Sequence, residues 1–309
     1  MKPFKSISEQ AEILRSRGLI IPEGHDVFLR LSNYYVVING YNDLFLKSVH
    51  PEEYLEDTSI EEVFQAHEFD RELRSFLLPW IMRIEDRLKV VIAHKASEYF
   101  KHNQEFYLKL SSYDSSSKNI AHSRKTIRHL RRQYNKEHPS LNHYRRVHHS
   151  IPFWVLINWV TFGELSHFYA LLKPRGVKEA IVKELKHFGS PQDEKLTVER
   201  LGAYIRVLAD FRNVCAHSER CYCHRHKSIV LDGKSKASVA SLIKIITSFL
   251  SEYEKERFDE QYSELFEVFF EESIIREEII AKIVVAMGFS NSGETELVVR
   301  HIRQSSGDN

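Results

Sequence analysis

The chain has 309 residues, 42% of them apolar and 28% charged, with a net charge of +1. That balance is the composition of a soluble globular protein, of one large or two small domains at this length. No run of about eighteen apolar residues is present to cross a membrane. The opening Met1-Lys2-Pro3-Phe4-Lys5-Ser6 has no apolar signal core. All three cysteines fall between Cys215 and Cys223, and an odd number argues against a disulfide framework. A reduced, cytoplasmic protein is expected. Eleven glycines and eight prolines are few for this length, and with many long charged side chains they point to an all-α fold.

In chain order, Ser6 and Glu9 have capping-box spacing and predict a short helix over 6–17 that stops at Gly18. Pro22 opens a second segment, roughly His25 to Tyr35, followed by Asn39-Gly40-Tyr41. Asn-Gly suits a hairpin turn, but its flanks are too short to require strands. The tyrosines here read first as core residues with wet hydroxyls, and alternatively as a base-stacking surface. From about 60 to 100 the residues Phe64, Phe69, Leu73, Leu77, Ile81, Ile84, Leu88, Val91 and Ile92 recur at helical steps. Pro79 is expected to kink or split that helix. Beyond it, Arg83, Glu85 and Arg87 occupy polar positions.

Residues 122–149 carry Arg124, Lys125, Arg128, Arg131, Arg132, Lys136, Arg145 and Arg146 against the single acid Glu137, with six histidines. So concentrated a positive segment attracts a phosphate backbone by counterion release. Arg124, Lys125, Arg128, Arg131, Arg132, Arg145 and Arg146 are the expected RNA contacts; an ordinary solvated face is the plain alternative. Residues 151–172 are apolar almost all round and predict two short helices, with Pro152 in a first turn and Gly163 at the break. A further helix follows from Pro174 to Phe188, and Pro191 precedes the next run.

That run starts near Thr197 and buries Leu201, Ile205, Leu208 and Phe211 on one face. It ends in Phe211-Arg212-Asn213-Val214-Cys215-Ala216-His217. Asn213 and His217 are four apart and share a face, whereas Arg212 and His217 lie about 140° apart on an ideal helix. The long arginine stem and a bend after Ala216 narrow that gap. Arginine with histidine suits RNA cleavage by the ribose 2′-OH. Histidine exchanges protons near neutrality, and two fixed guanidinium donors stabilise phosphorane charge. Asn213 would orient His217 or the phosphate. The plain alternative is a pair of cations at a helix C-terminus.

Cys221, Cys223, His224 and His226 suggest zinc, but their spacing is not Cys-x2-Cys and no second pair follows, so no metal is expected. Nothing supports a nucleotide-driven enzyme, since neither a Gly-rich phosphate loop nor a Gly-x-Ser-x-Gly elbow is present. Residues 236–253 predict an amphipathic helix. Residues 252–278 hold eleven acids against Lys255, Arg257 and Arg276. This segment is either a solvated face or one that docks on a basic stripe of its own chain or a partner. Segments 273–289 and 294–303 read as a last helical pair, and 304–309 as a frayed end. With no repeat or long linker, one domain is expected. It comprises an N-terminal elaboration (1–55), a core (56–250) with a basic insert (115–149), and acidic C-terminal helices (251–309).

The run Arg212-Asn213-Val214-Cys215-Ala216-His217 resembles the Arg-Asn-x-x-x-His signature of the HEPN ribonuclease superfamily. More narrowly, the chain resembles bacterial Abi-like abortive-infection proteins of the AbiD/AbiF kind. Four other stretches match that family in order: 31–41; 69–74 with 83–85; 152–154 with 162–166; and 287–289. The resemblance implies a HEPN-like helical bundle and a metal-independent endoribonuclease acting as a toxin in antiphage defence. It also implies a homodimer that apposes two motifs and, for some relatives, control by a noncoding RNA. In the superfamily a polar or acidic residue on a neighbouring helix sits beside the Arg/His pair, and Glu85 takes that place by position. The family tends to continue His-Gly-Arg-Leu-Trp-Asn, whereas this chain has Ser218, Glu219 and Arg220 after His217. That departure leaves a non-catalytic RNA-binding or interaction module as the alternative.

Overall fold

The structure, a computed structural model, describes residues 4–31, 33–101, 103–188, 196–231, 235–271 and 273–289. Among these, thirteen α-helices and two short antiparallel ribbons make up the regular structure, so the chain is an all-α protein. No described helix is long and apolar enough to cross a membrane.

Helix α1 (Ile7–Ser16) starts at the reciprocal Ser6–Glu9 box, and Gly18 turns the chain with φ 91°. A single tight turn at His25–Val27 leads into α2 (Phe28–Leu31). Helix α3 (Tyr34–Tyr41) is capped by Asn33, whose side chain accepts from the Tyr35 N–H. Asn39 and Gly40 lie inside α3, because the capped turn before them continues as helix. The hairpin of this region comes later, as β1 (Leu46–Val49) and β2 (Glu52–Tyr54).

Helix α4 (Ile60–Tyr99) runs unbroken for 40 residues, about 60 Å at 1.5 Å per residue. A second capping box, Ser59–Glu62, starts it. Leu73, Leu77, Ile81, Ile84, Leu88 and Ile92 are wholly buried along one face. Pro79 does not split the helix. It sits on the exposed side with Ser75, so the Ser75 carbonyl that loses its donor can turn to water.

Helices α5 (Ile120–Tyr134) and α6 (Pro139–Val147) form a basic hairpin. The predicted pair in 151–172 is α7 (Phe153–Leu156) and α8 (Phe162–Leu171). Their break falls at Thr161, not Gly163. A Thr161–Glu164 capping box starts α8, and Gly163 continues it. Then come α9 (Arg175–Phe188) and α10 (Val198–Ala216), the ribbon β3 (Val230–Leu231) with β4 (Ser235–Lys236), and α11 (Val239–Ser248). The last described helices are α12 (Glu252–Glu271) and α13 (Glu277–Met287); segments 294–303 and 304–309 lie outside the described residues.

α4 is the pillar, packed by α3, α7, α9, α10 and α12. The acidic α12 docks on α4. Phe269 stacks on Phe69 at 3.7 Å, and Phe258 packs against Phe76 and Trp80. Its buried Glu254 accepts from Arg83 and Arg87, each at 3.0 Å. Burial alone would raise the Glu254 carboxyl, but the Ser251 backbone bond and the two arginines outweigh it and bring it down to about 2.

Candidate active site

Helix α10 is aimed by its apolar face. Thr197 caps it, accepting from the Arg200 N–H at 3.1 Å, and Leu201, Ile205, Leu208 and Phe211 are wholly buried. That face wedges against α4 and α8. The opposite side is thereby turned outward, and Asn213 and His217 are exposed. The helix ends at Ala216, with His217 as its C-cap donating its N–H to the Asn213 carbonyl at 2.9 Å. The Glu219 N–H closes back on the Val214 carbonyl at 3.1 Å in a Schellman turn.

That turn needs a left-handed residue, and Ser218 supplies it with φ 55°. Glycine adopts this conformation without steric cost. Ser218→Gly is therefore expected to stabilise the protein by about 0.5–1 kcal/mol, read as a later midpoint in denaturant unfolding with an unchanged slope. An earlier midpoint would contradict this account of the turn.

Arg212 is half-buried, and its Nε is buried without a hydrogen-bond partner. A buried donor without a described acceptor costs on the order of 1–3 kcal/mol. Among the described residues no hydrogen bond or ion pair engages the side chains of Arg212, Asn213 or His217. The three residues thus stand at the end of one helix, two of them exposed on one face, with no described acceptor using the arginine.

The segment leaving His217 is latched from beneath. Asp70 on α4 is wholly buried and accepts from the backbone N–H of Cys221 (3.0 Å) and Tyr222 (2.7 Å), the Tyr41 hydroxyl (2.8 Å) and Arg74 (2.6 Å). Arg74 also donates to the Glu219 carbonyl at 3.2 Å. Burial pushes the Asp70 carboxyl up, while Arg74 and these donors act the other way by stabilising its charged form. Arg220 reaches the Gly40 carbonyl and Asp43, and Tyr41 stacks on Tyr222 at 5.9 Å. Tyr41 is thus a core residue with a satisfied hydroxyl.

Sequence reasoning assigned no role to Asp70. Its signal was an acid and a base four apart on the otherwise apolar face of α4. Glu85 lies eleven residues beyond Arg74, about 16 Å along the helix, and pairs with Lys89 at 2.7 Å. Asp70 is an acid of α4 that reaches the exit from α10.

Of the residues that suggested zinc, the two histidines have partners within the chain. Cys221 is buried and Cys223 half-buried, His224 pairs with Asp210 at 2.8 Å, and His226 Nδ1 accepts from the Ser228 and Ile229 N–H groups. Among the described residues no group of three or more His, Cys, Asp or Glu is placed to hold a metal ion.

On α5, Ser123, Thr126, Ile127 and Leu130 are buried, which leaves Arg124, Lys125, Arg128, Arg131 and Arg132 outward. None of these five forms an ion pair with a described residue. Arg146 on α6 is also exposed. Arg145 differs: its guanidinium ties α6 to α5 through the carbonyls of Tyr134 and Lys136, and it pairs with Glu137 at 3.6 Å.

Comparison with curated proteins and with solved structures gives no match. The family model of Abi-like proteins, in contrast, matches residues 27–223. That span covers well over half of the chain. It runs from the turn before α2 through α4 and α10 and stops at the latched segment, so it contains Arg212, Asn213, His217 and Asp70 together. With helix, motif and latch all inside one continuous match, the chain belongs to the Abi-like family of abortive-infection proteins.

Proposed function

We propose that the protein is a metal-independent endoribonuclease of HEPN type that acts as a toxin in antiphage defence. The observation that carries this reading is the unpartnered Arg212 Nε beside the exposed Asn213 and His217. His217 accepts the proton of the ribose 2′-OH. The 2′-oxygen then bonds to phosphorus, and the bond from phosphorus to the 5′-oxygen breaks. A proton returned to the 5′-oxygen comes from the same imidazole or from the partner subunit's His217 in a homodimer. Arg212 stabilises the charge on the phosphorane, and Asn213 orients the phosphate or the imidazole. The outward cations of α5, with Arg146, hold the RNA backbone. A regulatory noncoding RNA competing for the same surface would keep the toxin silent.

The test is incubation of purified protein with RNA in excess chelator. The expected products carry 2′,3′-cyclic phosphate and 5′-OH ends. Products with 3′-OH and 5′-phosphate ends would overturn the mechanism. RNA bound with steep salt dependence but left intact would establish instead a non-catalytic RNA-binding module.

A further inference from the structure

The exposed side of α10 does not end at Asn213. Gly202, Arg206, Asp210, Asn213 and His217 follow one another at steps of four, four, three and four, and so share one face. At the far end of this face lies a pocket of about 480 Å³ lined by Tyr169, Lys173, Arg175, Lys178, Glu199 and Arg206, among others. Arg206 is eleven residues from His217, about 16 Å along the helix.

The pocket is rich in positive charge. Arg175 is held by Glu179 (2.9 Å) and Glu199 (3.2 Å). Lys178 donates to the Ala170 carbonyl at 3.0 Å, with Asp114 nearby. Lys173 and Arg206 are exposed and pair with no described acid; Arg206 donates only to the Gly202 carbonyl, at 3.3 Å. Four cations thus face one lining acid, with Glu179 and Asp114 at the rim. Among the described lining residues no aromatic face is left free for a base. Lys178 sits over the Tyr169 ring at 5.5 Å, and the Tyr169 hydroxyl donates to the Val198 carbonyl. Lys173 and Arg206 are the lining cations left for an anion such as phosphate.

Its surroundings make the pocket part of a longer track. Between it and Asn213 the acid on this face is Asp210, which His224 covers at 2.8 Å, with His226 and Lys227 close by. On the other side the Lys173 N–H donates to the Ser112 carbonyl (2.9 Å) and the Asp114 N–H to the Leu171 carbonyl (2.8 Å). These bonds hold the approach to basic α5 against the pocket.

We infer that this pocket is a second phosphate-binding subsite, which grips the RNA backbone some nucleotides from the bond cut at His217 while the strand runs along the exposed face of α10. The direction of the strand rests on the nuclease reading; the affinity of the pocket for RNA phosphate does not.

The test compares wild type with the Lys173→Gln/Arg206→Gln double variant and with Gly202→Glu. A Cβ at Gly202 would meet Tyr169 at 3.5 Å, an ordinary contact, so the backbone there admits a side chain, and that variant adds an acid to the pocket lining. All are assayed in chelator with a dinucleotide and with a single-stranded RNA long enough to reach from His217 to Gly202. Both variants are expected to bind the long RNA about tenfold more weakly. For the double variant the slope of log affinity against log salt should fall by about 0.7 per lost contact. The ratio of kcat/KM for long RNA to that for the dinucleotide should fall by a similar factor.

Unchanged long-RNA affinity and salt slope in folded variants would overturn the subsite. An equal loss on the dinucleotide would do the same, as would inorganic phosphate occupying the pocket without displacing long RNA. Protein that grips long RNA through these residues yet cuts nothing would uphold the subsite and end the nuclease reading.

Discussion

Replacing His217 with alanine is expected to slow RNA cleavage by about 10²–10⁴-fold, the usual contribution of a positioned acid–base group, while the fold persists. The side chain is exposed and bonds to no described residue, and the cap it provides is made by backbone. Loss of a ring at a helix C-terminus costs on the order of 0.3–1 kcal/mol at most. Arg212→Ala should lower cleavage by about 10²–10³-fold, as removal of one oxyanion donor does elsewhere. Arg212→Lys should recover little of this, because an ammonium cannot present two parallel donors. Arg212→Met separates activity from stability: it keeps an unbranched stem and removes the orphan Nε, so thermal stability should hold or rise while cleavage is lost. Single-turnover cleavage in chelator and thermal unfolding of each variant check these outcomes together. In cells, expression of wild type should arrest growth and His217→Ala should not. Cleavage that survives both His217→Ala and Arg212→Ala would remove the mechanism.

Whether a feature could be read in the sequence followed the range of the interaction behind it. The start of α1, the apolar face of α4 and the buried face of α10 rest on local signals: Ser-x-x-Glu spacing and apolar residues three and four apart. So does the outward row on α5. Pro79 misled because it was read as a breaker without knowing which side of its helix met water, and Gly163 because the Thr161–Glu164 capping box starts α8 before it. Arg145 looked like its basic neighbours, yet the hairpin between α5 and α6 turned it to the Tyr134 and Lys136 carbonyls. Arg212, Asn213 and His217 were legible as a motif, but the orphaned Nε of Arg212 depends on packing. Asp70 was least legible, since its ligands come from residues 151 and 152 positions away.

That distance makes Asp70 the second decisive residue. Asp70→Ala is expected to destabilise the protein by about 3–5 kcal/mol, the range for breaking a buried ion pair from one side. The loss has identifiable parts. Arg74, only 6% exposed, keeps a charge with no carboxylate beside it. The Cys221 and Tyr222 N–H groups and the Tyr41 hydroxyl lose their acceptor within the core. Against a typical total of about 5–15 kcal/mol this is a large fraction, so Asp70→Asn, which keeps the shape and one acceptor oxygen, provides a milder variant. Urea unfolding measures both. Pairing Asp70→Leu with Arg74→Met should recover part of the stability, because two apolar side chains remove the stranded charge. It cannot recover all, since neither replacement can accept from the two backbone N–H groups. RNA cleavage should stay low in that double variant even where the fold is stable, because the segment that fixes the C-cap at His217 is no longer anchored. A double variant as active as wild type would mean that the Schellman turn at Ser218 holds His217 by itself and that the latch serves stability alone.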